Sequence, residues 1–199
     1  WDGKWMQVLL SQVAPDKRKE VREQLQWQGF GSLSPTLLLN PQPDKAEVIA
    51  TLQEFGVQQD AIIFSALAED TTSSGAMRLL VKDCWNLDVL SQHYEQFLNQ
   101  FRPVWQEFSQ QDRLDPQQCF MARTLLAHEY RKILLSDPLL PEVLLPDDWE
   151  GRAVRQLCRN LYRLIWEPAE QHLQGVLENA DGPLPDPDAS FYKRYGGLR

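Results

Sequence analysis

The sequence has few cysteines and no long apolar run. Cys84, Cys119 and Cys158 are odd in number, widely spaced and free of any Cys-x-x-Cys pair, which argues against a disulfide framework and against a zinc knuckle. Apolar runs such as residues 37–39 fall far short of the roughly 20 residues of a membrane-spanning helix. No charged start leads into an apolar stretch and a cleavage site, so we expect no secretion signal, no membrane partner and a cytoplasmic location.

The chain also lacks an excess of positive charge. Its formal net charge is −8, and neither part is basic: residues 1–75 hold 6 Lys and Arg against 10 Asp and Glu, and residues 76–199 hold 14 against 18. Proteins that bind nucleic acid by themselves use Lys and Arg to displace counterions from the phosphates. We therefore expect no autonomous DNA binding.

Catalytic motifs are missing as well. There is no G-x-S-x-G elbow, no P-loop and no G-x-G-x-x-G stretch, since Gly29-Phe30-Gly31 has no third glycine. His128-Glu129 is not a zinc-protease motif, because Lys132 stands where a second histidine is required. The sequence predicts no catalytic residues, no metal and no cofactor.

What is present indicates a folded α+β protein, with 43% hydrophobic and 24% charged residues. Strand-like runs over 5–10, 30–34, 36–40 and 61–67 alternate with two helical patterns, one over 17–28 after an Asp16 cap and one from an Asp44 cap to Gly56. Pro35 suits the turn of a hairpin. The order β-α-β-β-α-β predicts a ferredoxin-like domain with both helices on one face of the sheet.

Helical patterns alone follow the polar stretch 69–75, which is the predicted domain boundary. We predict a ferredoxin-like domain over 1–72 and an all-α C-terminal domain over 73–199. The first helix of that domain should cover 79–101 and end before Pro103, with a possible break at 86–88, and the next should open at Asp115-Pro116. Three prolines exclude a continuous helix over 137–149.

The helix from 115 to about 135 carries apolar residues on every side and is therefore predicted to be central and mostly buried. Arg123, His128, Glu129, Arg131 and Lys132 interrupt it. Burying such groups costs free energy unless they find partners. They form either an internally satisfied polar network or the lining of a ligand cavity.

The helix after Gly151 is amphipathic. Val154, Leu157, Cys158, Leu161, Leu164 and Ile165 share one face, and Arg152, Arg155, Arg159 and Arg163 share the other. The arginine face is either a solvated surface or a binding surface for phosphate or for a partner, with Tyr162 and Trp166 close enough to stack.

Seven stretches in register carry a family resemblance. The chain resembles the PaaX family at Trp1-Asp2-Gly3-Lys4-Trp5, Trp27-Gln28-Gly29-Phe30-Gly31, His128-Glu129-Tyr130-Arg131-Lys132, Asp137-Pro138-Leu139-Leu140-Pro141, Leu144-Leu145-Pro146, Leu157-Cys158 and Tyr192-Lys193-Arg194-Tyr195-Gly196-Gly197-Leu198. The resemblance implies a cytoplasmic repressor of phenylacetate catabolic genes, with phenylacetyl-CoA as inducer and a DNA-binding winged helix-turn-helix domain. The chain begins at Trp1, so we expect it to contain the middle and C-terminal domains without that winged helix, and to reach operator DNA only through it.

The resemblance and the residues together predict an effector-sensing and dimerisation module that is not an enzyme. We expect a homodimer through the first domain and phenylacetyl-CoA in the second, held by His128, Tyr130, Arg131, Trp149, Arg152, Arg155, Arg159, Tyr162 and Arg163. The alternative is a CoA-ester enzyme, similar to a thioesterase, that uses His128 and Glu129. The middle fold is also similar to small CRISPR-associated nucleases, but Leu10-Ser11-Gln12 stands where those place an aspartate.

Overall fold

The computed structural model describes residues 1–68, 74–179 and 182–198. The chain divides into two compact units: residues 1–90 with 135–149, and residues 91–134 with 150–199. The boundary predicted after residue 72 lies outside the described residues. The two units are not separated at one point in the sequence, because residues 135–149 belong to the first unit. None of the described helices combines the length and the apolar character that crossing a membrane requires.

The first unit contains a four-stranded antiparallel sheet. Its strands are β1 (Lys4–Leu9), β2 (Gly31–Ser34), β3 (Leu37–Asn40) and β4 (Ile62–Leu67), in the order β2-β3-β1-β4. Helix α1 (Pro15–Trp27) follows β1 and helix α2 (Lys45–Glu54) follows β3. The predicted succession of strands and helices is confirmed, and the chain as a whole is a mixed α and β protein in which helices predominate.

One face of the sheet and the two helices enclose the core. Val8 of β1 and Leu10 just after this strand both point into the core, because side chains two residues apart lie on the same face of a strand. Leu38 of β3 pairs with Val8 and joins the same core. The helices add Val21, Leu25, Val48 and Leu52. Their burial against the sheet fixes the orientation of both helices.

The helix caps were predicted with mixed success. Asp44 caps α2 as expected, because its carboxylate accepts hydrogen bonds from the backbone N–H groups of Ala46 and Glu47 at 2.8 and 3.3 Å. The Asp16 cap is wrong: Asp16 lies inside the first turn of α1, and Ala14 is the capping position without a side-chain bond. Pro15 sets this start, since proline is favoured at the first helical position, where its missing N–H is not needed.

The second face of the sheet is covered in part by Trp85, the last residue of helix α3 (Ser74–Trp85). The Trp85 ring lies directly over Gly31, and a Cβ atom at that glycine would stand 2.6 Å from the ring. Its Nε1 donates to the carbonyl oxygen of Gly29 at 2.9 Å, and its centroid is 6.2 Å from that of Trp5. The absence of a side chain at Gly31 therefore permits the close approach of α3 to β2.

The long helices of the second half depart from prediction in two places. The possible break at 86–88 is confirmed, because Asn86 has a left-handed backbone (φ 49°) between α3 and helix α4 (Leu87–Ser109). The predicted end before Pro103 is wrong, since α4 continues through this proline. The proline removes the bond to the carbonyl of Asn99, and both residues are exposed, so water can satisfy that group.

Helix α5 (Pro116–Leu134) begins as predicted, with the Asp115 carboxylate accepting from the backbone N–H of Gln118 at 2.8 Å. The expectation that it is central and mostly buried is wrong. Its buried residues are Cys119, Leu126 and Ile133, while Met121 and Leu125 are exposed. The helix packs through one narrow stripe against helix α6 (Gly151–Val176), whose predicted apolar face is buried except for the half-buried Leu164.

Three short elements complete the described structure. A 3-10 turn at Glu142–Leu144 interrupts the proline-rich stretch, which contains no continuous helix, as predicted. A small hairpin pairs Glu178–Asn179 with Gly182–Pro183, and a 3-10 segment at Phe191–Gly196 follows it.

The contact between Gly31 and Trp85 gives a test of the first unit. We expect Gly31→Ala to lower the free energy of unfolding by about 1–3 kcal/mol, because the added methyl group overpacks a rigid ring. Gly75→Ala is the control: nothing lies within 4 Å of its Cβ position in α3, and alanine should raise stability by about 0.5–1 kcal/mol. Urea unfolding measures both, and an unchanged midpoint for Gly31→Ala would contradict the packing described.

Candidate functional site

The candidate site lies in the second unit, where the C-terminal segment 182–198 packs on α5 and α6. Arg163 of α6 holds this segment: its Nε donates to the carbonyl oxygen of Gly197 at 2.9 Å and its Nη2 to that of Gly196 at 3.0 Å. The Arg159 guanidinium lies beside the same turn, 3.0 Å from where a Cβ atom of Gly196 would stand. Two members of the predicted arginine face thus contact the chain's own backbone.

A pocket of about 410 Å³ opens between α5, α6 and this segment. We call it the tyrosine pocket; it is lined by Ala127, Tyr130, Arg131, Leu134, Tyr162, Arg194 and Tyr195. The Tyr195 ring stacks on Tyr162, with centroids 4.1 Å apart and planes at 29°, and lies 6.3 Å from Tyr130. Three aromatic rings therefore form its apolar wall.

The cations of the tyrosine pocket are Arg131 and Arg194, both exposed. Within the described ranges neither guanidinium has a carboxylate partner, and the Arg194 Cζ lies 5.1 Å from the centroid of the Phe191 ring. Arginine presents a planar fork of donors that suits phosphate and carboxylate oxygens. The pocket can therefore bind an anionic group beside aromatic walls.

A second pocket of about 590 Å³ adjoins it and shares Ala127, Tyr162 and Arg194. Half of its remaining lining residues are apolar, namely Leu173, Leu184, Pro185, Pro187 and Phe191, and half are polar, namely Arg123, Thr124, Glu170, Gln174 and Asp186. Arg123 Nη1 donates to Glu170 Oε1, and both side chains are largely buried, with 11% and 12% exposed. Because this arginine is already neutralised, Arg131 and Arg194 carry the remaining positive charge of the two pockets, and Asp186 adds one negative charge to the second pocket.

A buried thiol lies beside Tyr195, one of the residues that line the tyrosine pocket. The Cys158 thiol lies close to the Tyr195 hydroxyl, and burial raises the pKa of Cys158 to about 12. Burial also raises the pKa of Tyr195 above its ordinary value, with the neighbouring Cys158 as a further cause. Both groups are therefore neutral near pH 7, and the thiol is not an activated nucleophile.

The structure brings together only part of the predicted set. Tyr130, Arg131 and Tyr162 line one pocket, as the ligand-cavity alternative requires. His128 is 65% exposed beside Glu129, whose carboxylate is bound by Lys132. Neither His128 nor the arginines at 152 and 155 line either pocket. Trp149 is buried in the segment that belongs to the first unit.

Sequence reasoning missed Arg194 and Tyr195, which complete the tyrosine pocket. Both occur in the stretch Tyr192 to Leu198 that contributed to the family resemblance, but no helical or strand period marks them. The available signal was the pair Gly196-Gly197 directly after an aromatic residue, which indicates a tight backbone reversal. The positive φ values of these glycines, 78° and 101°, are those of such a reversal.

Comparisons with known proteins give a consistent result. The family model for the PaaX protein central Cas2-like domain matches residues 1–77, and that for the PaaX-like protein C-terminal domain matches residues 85–175. The transcriptional repressor PaaX of Escherichia coli is 39% identical over all 199 residues, and the chain spans 63% of its length. The uncharacterized protein Rv0674 of Mycobacterium tuberculosis has a similar fold, with a TM-score of 0.55 and 19% identity over 86% of this chain and 64% of that one.

The buried ion pair beside the pockets is testable. We expect Glu170→Leu to lower the free energy of unfolding by about 3–5 kcal/mol, because it leaves the Arg123 charge buried without a partner. The double variant Arg123→Met, Glu170→Leu should recover most of that loss. Glu167→Leu, an exposed position on the same helix, is the control and should change stability by about 0.5 kcal/mol or less. Denaturant unfolding measures the free energy of unfolding of each variant. Equal losses of this free energy in the single and double variants would contradict the pairing of Arg123 with Glu170.

Proposed function

The chain belongs to the PaaX family, and on that premise we propose that it is the effector-sensing and dimerisation part of a transcriptional repressor of phenylacetate catabolic genes. The E. coli relative is a transcriptional repressor by name, which supports a regulatory rather than an enzymatic role. We assign the binding of operator DNA to the winged helix-turn-helix domain that the resemblance implies. A repressor of this kind acts in the cytoplasm.

The effector proposed is phenylacetyl-CoA, bound in the second unit. The observation that carries this proposal is the tyrosine pocket, where Arg131 and Arg194 stand beside three tyrosine rings without acidic partners among the described residues. A CoA ester is a polyanion with an aryl acyl group, so it requires fixed cationic donors next to an apolar wall. One pocket supplies both requirements.

The arginine roles are therefore redistributed relative to the sequence prediction. We assign the anionic part of the ligand to Arg131 and Arg194. Arg163 holds the C-terminal segment that completes the pocket, and Arg159 lies beside the same turn. Release of operator DNA would follow if phenylacetyl-CoA binds one conformation of the whole repressor better than another, because only differential affinity shifts such an equilibrium.

The thioesterase alternative has little support in the geometry. A general base must reach the reacting group within hydrogen-bond distance, directly or through one water. His128 Nε2 lies 4.0 Å from Glu129 Oε1, and neither residue lines either pocket. The Glu129 carboxylate accepts two hydrogen bonds from Lys132 Nζ at 2.8 and 3.0 Å. Its oxygens are therefore bound to a neighbouring side chain of the same helix.

We assign dimerisation to the first unit, whose element order and strand order β2-β3-β1-β4 support the ferredoxin-like arrangement. Strand β4 lies at the edge of the described sheet. On its face opposite the core, Ile62 and Phe64 are each 46% exposed. Exposed edges with apolar side chains favour pairing with another chain. The partner proposed is a second copy of this chain, since operators read by winged helices usually match twofold protein symmetry.

Calorimetric titration with phenylacetyl-CoA tests the effector site. We expect Arg131→Ala and Arg194→Ala each to weaken binding about tenfold or more, because a hydrogen bond to a charged group contributes about 1.5–3 kcal/mol. Arg102→Ala, an exposed arginine of α4 outside both pockets, controls for net charge and should bind like the wild type. If both pocket variants fold and bind normally, the assignment of these arginines is wrong. If the wild type releases free CoA, the enzyme alternative is correct.

Analytical ultracentrifugation tests the dimer. Wild-type protein should sediment as a dimer at tens of micromolar, an order-of-magnitude concentration for interfaces of ordinary size. Phe64→Glu should shift it to monomer, because the substitution buries a charge without a partner. Ile49→Glu on α2, also exposed, is the control and should remain dimeric. A monomeric wild type, or a dimeric Phe64→Glu, would count against this surface.

A further inference from the structure

We propose that the position of the Tyr195 ring is the subsite for the aryl group of the effector, and that Tyr195 fills this subsite when no ligand is bound. The proposal rests on the proposed function, because it concerns the same pocket. It adds a specific location for the aromatic ring and a competitor that belongs to the chain itself.

The surroundings of the ring are those of an aryl-binding site. Tyr162 stacks on it at 4.1 Å between centroids, Tyr130 lies 6.3 Å away, and Cys158 contacts the hydroxyl at the far end. Tyr162 and Cys158 are buried, and both are on α6. Offset aromatic contacts at these spacings are favourable for any benzene ring of the right size. Withdrawal of Tyr195 would leave two aromatic walls and a small polarisable base.

The tyrosine ring and the phenylacetyl ring are attached to the rest of their molecules in closely similar ways. In tyrosine the ring is attached to one methylene group, Cβ, and then to a branching carbon; in a phenylacetyl thioester the ring is attached to one methylene group and then to the carbonyl carbon. The remaining difference is the phenol hydroxyl, which lies close to the Cys158 thiol. A thiol is a weak hydrogen-bonding group, so an unsubstituted ring loses little when it replaces the tyrosine.

The backbone around Tyr195 favours its removal from the pocket. Arg194 has an extended ψ of 151°, and Tyr195 itself has φ 52°, a left-handed conformation that is unfavourable for a residue with a bulky side chain. Gly196 and Gly197 follow with positive φ. This reversal points the ring back toward α6 and is held by the two Arg163 hydrogen bonds. Because glycine adopts many conformations, the turn can reopen around these residues.

Binding measurements with Tyr195→Ala test the proposal. Removal of the competing ring should tighten phenylacetyl-CoA binding about threefold to tenfold, the fold-change that corresponds to one aromatic pair. Lys193→Ala, two residues away and exposed, should leave affinity unchanged. Unchanged affinity in folded Tyr195→Ala would place the aryl group elsewhere, and weakened affinity would make Tyr195 a wall of the site rather than its occupant. Either outcome overturns the proposal.

A second measurement separates the subsite from the effector. Thermal unfolding of Tyr195→Ala should shift upward with increasing 4-methylphenol, the side-chain analogue of tyrosine, because a small aromatic molecule fills the space and stabilises the folded state. The wild type, with the space filled, should show no rise. If wild-type protein does not bind phenylacetyl-CoA but the variant responds to 4-methylphenol, the effector is wrong and the aryl subsite stands. No response in the variant overturns the subsite, and Tyr195→Leu replaces the alanine variant in both measurements if that variant does not fold.

Discussion

Two hydrogen bonds from one arginine side chain determine the shape of the candidate site. Arg163 holds the carbonyl groups of Gly196 and Gly197, and this contact places Phe191, Arg194 and Tyr195 over α5 and α6. Hydrogen bonds with a charged group contribute about 1.5–3 kcal/mol each, and both of these bonds are exposed to solvent. The segment that completes the pockets therefore belongs to the less stable part of the fold, from which binding loops and lids are usually drawn. Modest contact energies allow a ligand to compete with the chain for the same space.

The first unit could be predicted well because its local preferences and its tertiary packing agree. The alternation of β1, the Asp44 cap and the hairpin at Pro35 each favour the element that is observed, as expected of a consistent sequence. Prediction failed where position in the fold outweighs propensity. Pro103 is tolerated because the carbonyl that it leaves without a bond lies at an exposed position, and exposure cannot be inferred from the residue type.

The candidate site was predicted only where regular helices carry it. Tyr130, Arg131 and Tyr162 lie on α5 and α6, whose periodicity could be interpreted. The arginine face of α6 was predicted as a set, but the hydrogen bonds of Arg163 are with a segment more than thirty residues further along the chain. That segment has three consecutive residues with positive φ, from Tyr195 to Gly197, and no periodic pattern predicts such a conformation. Arg194 was missed for the same reason.

The contact between Gly31 and Trp85 also constrains how sequences of this family can diverge. The indole ring occupies the volume that a side chain at position 31 would need, so the two positions share one fixed space. A substitution at either position alone creates a clash or a cavity, and both are costly in a close-packed interior. A larger residue in place of the glycine is compatible with the fold only if a smaller one replaces the tryptophan. The two positions should therefore covary during evolution, although 54 residues of sequence separate them.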